Sequence, residues 1–217
     1  MTNRVYLYCT NATEMPHDIS AENFFSISGK EYEAGACIPL YWLLMYEEPD
    51  IKIASPDDLD KDIDAHPYPY LICKKEKAIR QLTDWHSILE CTARDSAQLL
   101  LLSEWISRLE AEEFNNVILR TEELSWFSQP GELEKSLRIA LKHISCCKEK
   151  RELILNRRVV DLIGLWDQEE FLECESYQLA GQCTQKESWP KPFTSPCRGS
   201  PTEKPDSRKW WQLWKRT

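Results

Sequence analysis

The chain has 217 residues, 42% of them hydrophobic and 29% charged, with Lys+Arg 27 against Asp+Glu 36. That length suits one domain with a sizeable core, and the composition excludes both a membrane-embedded bulk and a disordered acidic chain. A net charge of −9 at pH 7 argues against nucleic acid as the main partner and leaves room for a basic protein.

Met1 to Thr10 has no apolar stretch of the length a secretory signal needs. The longest apolar run, Ile38 to Tyr46, is broken by Pro39 and is far shorter than the roughly 20 residues a membrane span requires. The nine cysteines are odd in number and none are spaced as C-x-x-C, so they read as reduced thiols in a cytoplasmic protein. Asn11-Ala12-Thr13 has the glycosylation pattern, which carries no meaning without export.

Arg4-Val5-Tyr6-Leu7-Tyr8-Cys9 is β-branched and aromatic, and predicts an opening strand. Val5 and Leu7 would face one way, and Arg4, Tyr6 and Tyr8 the other. If Arg4 is buried it needs a carboxylate, with Glu122 or Glu123 as the candidates. A second strand is expected over Phe24–Ser28, ending at Gly29. Pro39 suits the first turn of a buried helix running to Glu47. Residues 47–64 read as an acidic loop, and Tyr68–Lys74 as a strand running into a helix.

That helix, about 76–93, repeats Ile79, Leu82, Trp85, Leu89 and Ala93 at spacings of three and four. Asp95 opens another, with Gln98 as its capping-box partner and Leu102, Trp105, Ile106 and Leu109 on its core face. Val117–Leu124 alternates as a strand. Pro130 opens a helix carrying Leu133, Leu137, Ala140, Leu141 and Ile144, and a last helix is expected over about 149–166. The pattern predicts an α+β fold, a helix-rich single domain with a small sheet and a flexible C-terminal tail.

The boundary is expected near Gly181. Residues 1–181 form an acidic α+β domain, with 19 Lys/Arg against 33 Asp/Glu. Residues 182–217 form a Pro-rich, basic, Trp-containing extension with eight Lys/Arg, three Asp/Glu and five of the twelve prolines. Its end, Arg208-Lys209-Trp210-Trp211-Gln212-Leu213-Trp214-Lys215-Arg216, sets three indoles among four cations. Trp210, Trp211 and Trp214 suit a membrane interface, a fold-back onto the acidic domain, or a poorly ordered terminus.

Between Glu47 and Asp64 lie eight carboxylates and two lysines. Asp60, Asp62 and Asp64 mimic the first ligands of a calcium loop, but the pattern fails at Ala65, where glycine is needed, and at Leu71, where a bidentate glutamate is needed. The surviving readings are a solvated loop and a docking surface for a basic protein, bound through Glu47, Glu48, Asp50, Asp57, Asp58, Asp60, Asp62 and Asp64. The scattered His17, His66, His86 and His143 have no zinc spacing, and Cys146-Cys147 reads as an incidental pair. No G-x-S-x-G elbow or Gly-rich phosphate loop occurs. The expectation is a protein that is not an enzyme, with no metal or cofactor.

Asn3-Arg4-Val5-Tyr6-Leu7-Tyr8 and Ile38-Pro39-Leu40-Tyr41-Trp42-Leu43-Leu44 resemble a family of small bacterial proteins of unknown function. Members begin with an N-R-x-Y-L-Y strand followed by an I-P-L-aromatic-x-L-L segment. Val117–Leu124 is similar to the family's later apolar strand, so the resemblance spans about residues 3–165. It implies an immunity or antitoxin-like factor that neutralises a basic partner such as a toxin, and it supplies no catalytic residues. A peripheral membrane adaptor working through the tail is the alternative.

Overall fold

Seven residues of alternating character, Arg4–Thr10, form the first strand, β1, and its two faces set the architecture. Val5, Leu7 and Cys9 are fully buried on one face, while Arg4 on the other is exposed. The computed structural model describes residues 4–15, 28–54, 66–92, 96–165 and 176–183. Within them the strands are β1, β2 (Ser28–Gly35), β3 (Ile51–Ala54), β4 (Tyr68–Lys74), β5 (Asn116–Arg120) and β6 (Gln182–Cys183). All pairings are antiparallel, in the order β3-β4-β5-β1-β2-β6.

The helices are α1 (Leu40–Leu43), α2 (Lys75–Thr92), α3 (Ser96–Ala111), α4 (Glu122–Ser125), α5 (Glu132–Lys150), α6 (Arg157–Leu162) and α7 (Ser176–Ala180). A 3-10 turn at Glu48–Asp50 precedes β3. The fold is α+β and helix-rich, as the periodicities predict.

One apolar cluster joins Val5, Leu7, Tyr32, Leu71, Val117 and Leu119 of the sheet to the helices. Trp42, Trp85 and Trp105 are fully buried in it. At about 25 cal/mol per Å², each indole contributes roughly 4–6 kcal/mol of gross transfer free energy. Trp105 meets Tyr32 edge-on, ring centroids 4.6 Å apart, which fixes α3 against β2. Tyr41 donates its hydroxyl to the Gln98 carbonyl at 2.8 Å, tying α1 to α3. A smaller cluster on the opposite sheet face gathers Met15, Ala54, Tyr68, Tyr70 and Ile118.

Several boundaries differ from expectation. The expected strand 24–28 lies outside the described residues except at Ser28, where β2 begins. Pro39 is the cap of a single-turn helix rather than the start of a nine-residue one. The acidic loop contains β3, four residues that pair with β4. The strand expected to run to Leu124 ends at Arg120, because Thr121 turns the chain into α4.

The helix expected over 149–166 is two elements. α5 ends at Lys150, with Arg151 left-handed at φ 56°, and α6 starts only after Asn156, whose side chain accepts the Val159 N–H at 2.9 Å. At the C-terminal side the sheet continues past Gly181, since Gln182 and Cys183 pair with Glu33 and Tyr32. Residues 184–217 lie outside the described part.

Candidate functional site

The sheet face away from the main core carries a row of polar and aromatic side chains. Register places Gln182, Glu33, Tyr6, Arg120, Tyr70 and Lys52 in line, one from each of the six strands. Tyr8 lies one step along, its ring stacked on Tyr6 with centroids 6.1 Å apart. Its hydroxyl has hydrogen-bonding partners in Glu31 and Arg120. Burial, reinforced by Glu31, holds the Tyr8 phenol well above its usual range, so it stays protonated.

Arg120 bonds Glu122 through Nε at 2.8 Å and also through Nη2. Burial works to lower its pKa, but the Glu122 carboxylate reverses the sign and the net shift is upward. Arg4 is exposed and pairs with Glu33 at 2.6 Å, while Glu123 accepts the Arg4 backbone N–H at 2.7 Å. Of the two expected partners, Glu122 pairs with Arg120 instead, and Glu123 meets Arg4 at its backbone N–H, while the exposed guanidinium takes Glu33.

The acidic residues nominated from sequence divide into two groups. Glu47, Glu48 and Asp50 sit on the 3-10 turn and are held in cis. Lys77 reaches Glu47 at 2.7 Å and Asp50 at 2.8 Å, and Gln81 donates to Glu47 at 2.8 Å. Arg138 of α5 lies 3.5 Å from Glu48. Lys148 continues the network to Gln81 at 2.5 Å and Asp84 at 2.7 Å. The hydrogen bond from Lys77 pulls the Glu47 pKa down. These carboxylates clamp the turn to α2 and α5. Asp57, Asp58, Asp60, Asp62 and Asp64 lie outside the described residues, as do Trp210, Trp211 and Trp214. Ala54 and Tyr68, which flank the acidic run in sequence, pair in the β3–β4 ladder.

Near the same end of the sheet, Thr121 donates its hydroxyl to the Pro69 carbonyl, and α4 packs on β1 and β4. Trp126 and Phe127 follow α4 and are 36% and 38% exposed. Sequence reasoning did not single them out, since an aromatic pair reads as core by default.

Two nucleophile–histidine pairs call for a chemical test. Ser103 Oγ lies 2.9 Å from His86 Nε2, but Ser103 is mid-helix in α3 and also donates to the Leu99 carbonyl at 3.0 Å. The neighbouring backbone N–H groups are spent in the helix, so none can receive an oxyanion. Cys147 Sγ lies 3.5 Å from His143 Nε2, and that same nitrogen is 2.7 Å from the Ile154 carbonyl. It must carry the proton to make that bond, so it cannot take one from the thiol. Both pairs fasten helices and the 151–156 turn. Among the described residues no group of three or more His, Cys, Asp or Glu could hold a metal ion. Among them, too, no helix is long and apolar enough to cross a membrane.

The chain matches no family model, no curated protein and no solved structure. The resemblance carried by residues 3–8, 38–44 and 117–124 thus rests on those residues alone.

Proposed function

We propose that the chain is a non-enzymatic protein-binding module of the immunity or antitoxin kind, which holds a basic partner at the β3–β4 end of its sheet. What supports this is the placing of the acids along the chain. Glu47, Glu48 and Asp50 are paired in cis, and the run Asp57, Asp58, Asp60, Asp62 and Asp64 falls in sequence between Ala54 and Tyr68, which pair in the β3–β4 ladder. The exposed Trp126 and Phe127 lie near that end and supply the aromatic contact that binding surfaces favour. Clustered negative charge then steers the encounter and fixes orientation.

The test is affinity capture from host lysate at low and high salt, comparing the full chain with one ending at Thr184, which keeps β6. A basic protein held by both and released by salt supports the reading. Capture that requires residues 184–217 and follows lipid would overturn it in favour of a peripheral membrane adaptor working through Trp210, Trp211 and Trp214.

A further inference from the structure

We propose that the outer edge of β3 is the docking strand for an extended, basic segment of the partner. This rests on the protein-binding role above and names its geometry. Among the described residues β3 is the terminal strand of the sheet. Ile53 stands opposite Pro69 in the ladder, and the Pro69 carbonyl accepts the Thr121 hydroxyl on the β5 side. A residue's N–H and C=O point to the same side of a strand, so Pro69 faces β5 and the Ile53–Pro69 pair is not hydrogen-bonded. The Ile53 N–H and C=O therefore point outward.

Ile51 has the same parity. Its N–H turns back to the Glu48 carbonyl, which leaves its C=O on the edge. Three main-chain groups are thus presented in a row, with the Ile53 side chain 48% exposed beside them. Such an edge recognises one shape, an added β-strand.

Charge selects the occupant. The chain carries a net charge of −9, and five aspartates, Asp57, Asp58, Asp60, Asp62 and Asp64, follow β3 closely in sequence. Two copies of a chain of net charge −9 would repel one another on pairing edge to edge. A cationic strand meets no such repulsion.

The test uses the full chain and a labelled ten-residue peptide of alternating lysine and valine, read by fluorescence anisotropy. Controls are the same peptide N-methylated throughout, and a glutamate/valine peptide. Ile53→Pro removes the outward N–H while leaving the β3–β4 ladder intact, because edge strands accept proline where the N–H faces solvent. Circular dichroism checks its fold. The expected result is saturable binding of the lysine peptide, weakened at least tenfold by N-methylation and by Ile53→Pro, with none for the glutamate peptide.

Equal binding of the N-methylated peptide, or no binding of either cationic peptide, overturns the proposal, and the N-methyl arm decides even if Ile53→Pro does not fold. Concentration-dependent dimers abolished by Ile53→Pro also overturn it, since the edge would then serve a second copy. A captured basic protein that binds Ile53→Pro as tightly as wild type sinks the edge and leaves the role standing. Peptide pairing without a captured basic protein supports the edge and sinks the role.

Discussion

Trp42 and Gly181 are in such close contact that no side chain fits between them. A Cβ placed on Gly181 would lie 2.2 Å from Trp42 Cζ2, and the indole Nε1 donates to the neighbouring Ala180 carbonyl at 3.0 Å. Gly181 also takes φ +67°, a conformation that side chains resist. This contact joins α7 and β6 to α1, although 138 residues separate Trp42 from Ala180. Gly181→Ala is expected to lower stability by about 1–3 kcal/mol, the usual cost of overpacking. Urea unfolding measures it, and an unchanged midpoint would mean that the C-terminal segment does not dock this way.

The Lys77 clamp has a defined pH window. The Glu47 pKa is lowered, first through its hydrogen bond from Lys77. Its contribution is full above the unfolded carboxylate value, about 4.3, and is lost as pH falls through the folded one. Burial alone would lower the Lys77 pKa, but bonds to Asp50 and Glu47 raise it overall. Its contribution is full below the unfolded value, about 10.4, and is lost as pH rises through the folded one. Lys77→Met should therefore destabilise most between about pH 5 and pH 10. A stability difference that is flat from pH 3 to pH 10 would rule the clamp out.

Thiol reactivity should separate sharply along the chain. Cys146 is exposed, whereas Cys9, Cys37, Cys73 and Cys147 are buried. Burial pushes the Cys9 and Cys37 thiols up to about 12, so neither is a thiolate at neutral pH. Brief alkylation of the native protein at pH 8, followed by peptide mass mapping, should label Cys146 well before those four. Early labelling of Cys9 or Cys37 would show that the sheet opens locally.

Arg120 and Glu122 should behave as a coupled pair. The Glu122 side chain is only 11% exposed, so Arg120→Met would strand a largely desolvated carboxylate. The expected loss is roughly 1.5–3 kcal/mol, the range for hydrogen bonds to charged groups. Adding Glu122→Gln should recover part of it, because the stranded charge is gone. Purely additive losses would mean that the two side chains do not depend on each other.

How far the fold was legible depended on whether periodicity or local geometry decided each element. β1, β4, α2 and α3 were readable because their apolar spacing runs over several turns or strand steps. β3 was hidden because Ile51-Lys52-Ile53-Ala54 is too short to show alternation and lies among carboxylates. The end of α5 depends on Arg151 adopting a left-handed conformation that its residue type does not announce. At the site, eight acids stood out in sequence, but spacing could not show that Lys77 and Arg138 neutralise three of them. Nor could it show the six-strand row through Tyr6 and Arg120, which depends on register between segments far apart in the chain.

That split among the acids gives the most direct test of the proposed role. Charge reversal at Glu47 and Asp50 sets each new lysine against Lys77 and breaks the clamp between the 3-10 turn, α2 and α5. Its expected effect is on unfolding, with a lower urea midpoint and partner affinity falling only as folded protein is lost. Charge reversal at Asp57, Asp58 and Asp60 should act on association instead, because steering by a charged surface appears chiefly in the on-rate and fades with salt. Stopped-flow association with the captured partner at two ionic strengths reads both. A slower on-rate at low salt, with little change in dissociation, is the expected signature of the Asp57–Asp60 variant. An unchanged on-rate there would remove the acidic segment from the binding surface.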